Sequence, residues 1–150
     1  ATGKKVYAST GVSGMDEIAE TSQRFTEIDL IHTQLTEALE DVNLKAISSI
    51  QAATGRGVGF GLHCAELQVL YAAVAMEPSA IFFYVKDLTD GEHPDDGYAV
   101  PIDQVDAFAY QLKRLSSAVG DGEKSSQQST TLPADDPLHG SVGASVEAMR

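Results

Sequence analysis

The chain contains neither glycine nor proline over residues 15–54. These two residues are the ones that most often interrupt a helix, so the composition imposes no break on this segment. Ser13 stands just before it as a candidate N-cap, and Asp16 and Glu17 suit the positive end of a helix dipole. The segment is therefore predicted to be helical.

The apolar residues of this segment fall into two groups that point in different directions at about 100° per residue. The first group runs from Met15 to Phe25, and the second begins at Ile28. A straight helix cannot bury both groups against one surface, so a break near residues 24–26 is favoured over one helix with two neighbours. The second group is predicted to be an amphipathic interaction face made of Ile28, Ile31, Leu35, Leu39 and Val42.

Further elements follow the glycine-rich segment 55–61. Residues 62–76 are rich in alanine and predict a buried helix, and the apolar run 80–86 predicts a strand. Residues 98–102 predict a second strand, paired with the first as an antiparallel hairpin. Residues 103–119 have the i, i+3, i+4, i+7 spacing of an amphipathic helix, and Gly120 follows it.

The predicted fold class is therefore α+β, with a helical N-terminal half packed on a small antiparallel sheet, a C-terminal helix and a disordered tail. Residues 1–12 are predicted to be a flexible N-terminus or a short strand, and residues 13–120 a single α+β domain. Residues 121–150 are predicted to be a disordered tail, because they are polar and show no apolar periodicity. The hydrophobic content of 43% is sufficient for one core.

The formal net charge of −12 argues against nucleic acid as a partner, because phosphate binding requires clustered lysine and arginine. An anionic membrane surface is disfavoured for the same reason, whereas a basic protein partner is compatible with this charge. The longest apolar stretch, 58–76, contains His63, Glu66 and Gln68, so no membrane span is expected. A single cysteine, Cys64, excludes an internal disulfide. We expect a cytoplasmic protein.

The glycine-rich segment and the residues after it are one candidate ligand site. A dinucleotide fingerprint would need glycine where Leu62 stands, and the lysine of a P-loop is absent. Free amides near the segment could still hold an anion, although a hinge or a close backbone approach is the favoured interpretation. In a helix, His63 and Glu66 would lie one turn apart, as a metal pair or an imidazole–carboxylate couple require. This hypothesis assigns ligand binding to Arg56, Gly57, Gly59, Gly61, His63 and Glu66.

The loop between the two predicted strands is acidic. Its carboxylates, on Asp87, Asp90, Glu92 and Asp95, are ligands that a hard cation accepts. The residue order of an EF-hand is not met, and turn loops are commonly built from Asp, Gly and Pro. A solvated turn is favoured, with a weak cation site as the alternative.

The sequence contains no complete catalytic motif. The favoured function is a non-catalytic, acidic protein-interaction domain, of the regulator, adaptor, chaperone or inhibitor type, that self-associates as a homodimer through the amphipathic helix. The alternative is a small-ligand or cation-binding domain, with or without enzymatic activity, built on residues 55–61 with His63 and Glu66. No cofactor is expected.

Overall fold

The computed structural model describes residues 3–87 and 95–124. Four strands form one sheet in which every neighbouring pair is parallel and the spatial order follows the chain. They are β1 (Val6–Ser9), β2 (Ile28–His32), β3 (Val58–Gly61) and β4 (Ile81–Phe82).

Each pair of neighbouring strands is connected through a helix. These helices are α1 (Met15–Arg24), α2 (Ala46–Thr54) and α3 (Gln68–Val74). Crossovers between parallel strands are nearly always right-handed, and sequential strand order then puts successive helices on the same face of the sheet. The sheet therefore has a helix-covered face and an opposite face, as in the wall of a βα barrel.

A second, two-stranded sheet continues the chain. Its strands, β5 (Tyr84–Lys86) and β6 (Ala99–Pro101), are also parallel. The last helix, α4 (Val105–Val119), packs on α3, and the Phe108 ring lies 5.2 Å from that of Tyr71.

The core lies between the four-stranded sheet and its helices. The sheet contributes Leu30, Val58 and Phe60, each at most 2% exposed. One continuous cluster joins them to buried residues of the helices: Ile18, Ile47, Ile50, Val69, Leu70, Ala73, Val74, Phe108 and Leu112. Burial of such side chains is worth about 1.5–3 kcal/mol each, so this cluster is a main source of stability.

Along β3, residues with large side chains alternate with glycine. Val58 and Phe60 point into the core, so Gly59 lies on the opposite face. A Cβ atom on Gly59 would lie 2.9 Å from Cε2 of Phe82 and 3.1 Å from the backbone oxygen of Ala80. Glycine is required here because the neighbouring strand lies across the position that a side chain would occupy.

The predicted antiparallel sheet is wrong, because all strand pairs in both sheets are parallel. The runs 80–86 and 98–102 do contain strands that pair with each other, but Tyr84 lies opposite Ala99 in parallel register. A parallel pair needs a crossover of about a dozen residues or more, and residues 87–98 provide that length. The fold is therefore a parallel βα arrangement and not the predicted α+β hairpin.

The predicted helical segment 15–54 is also wrong over residues 28–42. Residues 28–32 form β2, and Leu30, which lies off the proposed apolar stripe, is 2% exposed. Burial at every second residue is the period of a strand. The proposed interaction face is consequently dispersed: Ile28 and Ile31 lie in β2, Leu35 and Leu39 are exposed beyond it, and Val42 is buried.

Other predicted elements are confirmed. Helix α4 lies within 103–119, and α1 ends at Arg24, where the break was favoured. Helix α3 is shorter than the predicted 62–76. Residues 125–150, most of the predicted tail, lie outside the described residues. Within 3–87 and 95–124, no helix is long and apolar enough to cross a membrane.

We expect Gly59→Ala to lower the free energy of unfolding by about 1–3 kcal/mol, the usual result of adding volume to a packed site. Gly97→Ala is the matched control, because nothing lies within 4 Å of a Cβ placed there. Chemical denaturation followed by circular dichroism measures both variants. Equal stability of the two would contradict the close approach of β4 to β3.

Candidate functional site

Strands β1 to β4 all end at the same edge of the sheet, here called the carboxyl edge. A cavity of about 210 Å³ lies there, on the face away from the helices. Every strand of the sheet contributes to its lining: Ser9, Ile31, Thr33, Gly61, Leu62, His63, Phe82, Phe83 and Tyr84. In parallel α/β proteins, ligands bind at this edge.

Gly61 leaves space in the cavity because it has no side chain. A Cβ atom on Gly61 would lie 3.3 Å from Cγ2 of Ile31 and 3.7 Å from Oγ1 of Thr33. Any side chain at this position would therefore fill space between the ends of β2 and β3. The alternation that buries Phe60 in the core also opens the cavity beside it.

His63 supplies the imidazole of the site. Its Nε2 lies 3.3 Å from Oη of Tyr84. The imidazole also packs edge-on against the Tyr84 ring, at 5.5 Å between centroids, and lies tilted against the Tyr98 ring at 5.6 Å. The imidazole is thus held by aromatic contacts and remains partly accessible from the cavity.

Thr33, which lines the same cavity, carries a buried hydroxyl. The residue is 6% exposed, and its Oγ1 has no hydrogen-bond partner within the described part of the chain. By contrast, the buried Thr10 hydroxyl donates to the backbone oxygen of Ile31 at 3.0 Å. An unsatisfied buried hydroxyl costs about 1–3 kcal/mol, so Thr33 stands out among the residues that line the cavity.

The neighbouring Tyr98 is fixed by a carboxylate. Its hydroxyl donates to Asp95, and this hydrogen bond raises the pKa of Tyr98 to about 12. Lys86 donates to the backbone oxygen of Asp96 at 3.0 Å. This hydrogen bond holds the turn around residue 96 against β5.

His32 does not belong to this site. It is 3% exposed and its Nε2 lies 3.0 Å from the backbone oxygen of Val42. Its ring lies 6.1 Å from that of Phe60, on the helix-covered face. Its role is structural, because it satisfies the backbone of the segment before α2.

The ligand-binding residues predicted from the sequence are divided between the two ends of β3. Gly61 and His63 lie at the carboxyl edge, whereas Arg56 and Gly57 precede the strand at the opposite edge. Gly59 lies between them. Glu66 is exposed in the loop before α3, so the predicted helical pairing with His63 does not exist.

Arg56 has a structural role. Its Nη1 donates to the backbone oxygen of Thr26 at 2.5 Å, and its Nη2 donates to that of Ser22 at 3.0 Å. These oxygens lie at the end of α1 and just beyond it, where helical carbonyls lack partners. The guanidinium therefore connects the start of β3 to the end of α1 and is not directed at the cavity.

The predicted cation site is only partly described. Asp87 and Asp95 are within the structure, whereas Asp90 and Glu92 lie outside the described residues. Within 3–87 and 95–124, no group of three or more His, Cys, Asp or Glu side chains could hold a metal ion. The acidic loop stays a prediction.

Ser9, Thr33, Phe82 and Tyr84 line the cavity and were missed by sequence reasoning. Each lies at or just beyond the end of a short strand. Their location at strand ends could have indicated a ligand site. That location is informative only once the strands are known to be parallel neighbours.

The fold and cavity define a parallel βα protein with a ligand site at the carboxyl edge of its sheet. The model of the NeuB family matches residues 1–124, and the chain belongs to that family. The favoured interpretation as a non-catalytic interaction domain is therefore wrong, and the alternative of a ligand-binding, enzymatic domain is better supported.

A curated relative is the N,N'-diacetyllegionaminic acid synthase of Campylobacter jejuni. It is 27% identical over 135 residues, which cover 84% of this chain and 40% of the relative. The chain thus spans less than half the length of this relative.

Two solved structures share the fold. A protein described as spore coat polysaccharide biosynthesis protein E, from Chromobacterium violaceum, matches with a TM-score of 0.70 and 20% identity, over 85% of this chain and 40% of that one. The N-acetylneuraminic acid (sialic acid) synthetase of Leptospira borgpetersenii serovar Hardjo-bovis, solved with citrate, matches with a TM-score of 0.71 and 19% identity. That match covers 82% of this chain and 45% of the synthetase.

We expect Arg56→Met to lower the free energy of unfolding by about 1–3 kcal/mol, because two hydrogen bonds from a charged donor are lost. Lys113→Met, on the exposed surface of α4, removes the same charge and should stay within about 0.5 kcal/mol of the original chain. Thermal and urea denaturation measure both. A stable Arg56→Met variant would contradict the structural role of this guanidinium.

Proposed function

We propose that this chain provides a sugar-acid binding site of a NeuB-type biosynthetic enzyme, at the cavity on the carboxyl edge. The family assignment and the names of the similar synthases support an enzyme of sialic- or legionaminic-acid synthesis. The observation that carries the proposal is the unsatisfied Thr33 hydroxyl in the same cavity wall as His63.

The cavity lining suits a polyhydroxylated, N-acetylated ligand. Ser9 and Thr33 offer hydroxyl groups that both donate and accept hydrogen bonds, as sugar hydroxyls and acetamido groups require. Phe82 supplies an apolar surface between them. Such sites are typically mostly apolar with a few placed polar groups.

Local charge in the cavity is compatible with an acidic ligand. Although the chain carries a net charge of −12, no aspartate or glutamate lines the cavity within residues 3–87 and 95–124. Exposed charges farther away than about 10 Å are largely screened at physiological salt. The imidazole of His63 can donate a hydrogen bond to a carboxylate ligand.

His63 is the acid–base group of this proposal. Histidine is the side chain most often used for proton transfer near neutral pH, and such a group must lie within hydrogen-bond reach of the reacting atom. A ligand in the cavity can reach the imidazole of His63, because this residue lines the cavity. The other titratable group in the lining, Tyr84, is bonded to His63 itself.

A cytoplasmic location is part of this proposal. It rests on the single cysteine, Cys64, which is a buried free thiol, as is usual in a reducing compartment. Self-association as a homodimer and binding of a basic partner stay predictions, and no surface described above is assigned to either.

The proposal is tested by calorimetric titration of the chain with N-acetylneuraminic acid. We expect binding to the original chain, a loss of about three- to tenfold in affinity for Thr33→Val, and loss of measurable binding for His63→Ala. The factor for Thr33→Val follows from one hydrogen bond of about 0.5–1.5 kcal/mol.

Thr21→Val is the matched control, because Thr21 lies on α1 and outside the cavity lining. Its affinity should equal that of the original chain. Absence of binding by the original chain, or unchanged affinity in both cavity variants, would contradict the proposed site.

A further inference from the structure

We propose that Tyr84 is a positioning residue that donates its hydroxyl proton to Nε2 of His63 and so holds the neutral imidazole with its own proton on Nδ1. This inference rests on the proposed function, in which His63 faces the ligand. The 3.3 Å separation between Tyr84 Oη and His63 Nε2 is the contact from which it starts.

Strand register explains why these two residues meet. Gly61 of β3 lies opposite Phe82 of β4 in the parallel sheet. His63 and Tyr84 each follow two residues after this pair, beyond the ends of β3 and β4, and both line the same cavity. The pairing of β3 with β4 therefore brings together the two segments that carry His63 and Tyr84.

The tyrosine is itself held in place. Its ring packs edge-on against Tyr98 at 5.2 Å, and Tyr84 opens β5, where it pairs with Ala99 of β6. The hydroxyl of Tyr98 is bonded to Asp95. The Tyr84 ring is thus fixed from β6 while its hydroxyl points to the imidazole.

The hydrogen bond from Tyr84 determines which imidazole nitrogen can donate to the ligand. A neutral imidazole has one donor and one acceptor nitrogen, and the hydrogen bond made by one nitrogen sets the tautomer. With Nε2 accepting from Tyr84, Nδ1 carries the proton and becomes the donor that a sugar acid's oxygen atoms can use. The tyrosine then acts through His63 and needs no contact with the ligand.

The imidazole tautomer is measured directly by long-range ¹H–¹⁵N correlation spectroscopy on the full chain labelled at histidine, at a pH where His63 is neutral. The His63→Gln variant assigns the signal among the four histidines. We expect the Nδ1–H form in the original chain and a shift towards the Nε2–H form in Tyr84→Phe, which keeps the ring. Tyr71→Phe is the matched control, because its hydroxyl donates to Gln111 on the outer helices.

Affinity for N-acetylneuraminic acid should fall about three- to tenfold in Tyr84→Phe and stay unchanged in Tyr71→Phe. An Nε2–H tautomer in the original chain, a tautomer unaffected by Tyr84→Phe, or a changed tautomer without loss of affinity would each overturn the inference. If the original chain binds no sugar acid, the proposed function fails, whereas the tautomer measurement still decides whether Tyr84 fixes the imidazole.

Discussion

The structure depends on the alternation of side chains in β3, which lies between β2 and β4. Val58 and Phe60 fill the core beneath the helices, whereas Gly59 and Gly61 place no side chain on the opposite face. If the glycines carried side chains, Phe82 of β4 and Ile31 of β2 would have to move. The same alternation thus joins the sheet to its helices on one face and makes room for a cavity on the other.

Parallel pairing then decides which groups meet. It brings the ends of four strands to one edge, where Thr33 and His63 line a common cavity. It places Arg56 at the opposite edge, where the guanidinium donates to two backbone oxygens. The chemistry available at the carboxyl edge is that of hydroxyl groups and one imidazole. These are the groups that the proposed sugar-acid site uses.

Sequence reasoning predicted an element correctly where its apolar residues follow a single helical spacing. It failed where one apparent helical spacing extended over a strand and a loop. Helix α4 was predicted because its apolar positions follow one helical stripe. Residues 28–42 matched a helical stripe although they contain a strand and a loop, and the burial of Leu30 at strand spacing was overlooked. Glycine at every second position in 55–61 favoured a hinge or a close backbone approach, although that spacing is also the period of a strand. His63 was found by its chemistry, whereas Thr33 and Tyr84 become neighbours of it only through the order of the parallel strands.

The central claim is that the ligand site lies at the carboxyl edge of a parallel sheet. A titration of the ¹⁵N-labelled chain with N-acetylneuraminic acid, followed by amide chemical shifts, locates the site directly. The account predicts that the largest shifts fall on Thr33, Gly61 and His63, with Arg56 and Gly57 unaffected at the opposite edge. Shifts centred on Arg56 and Gly57, or spread evenly over the chain, would contradict it.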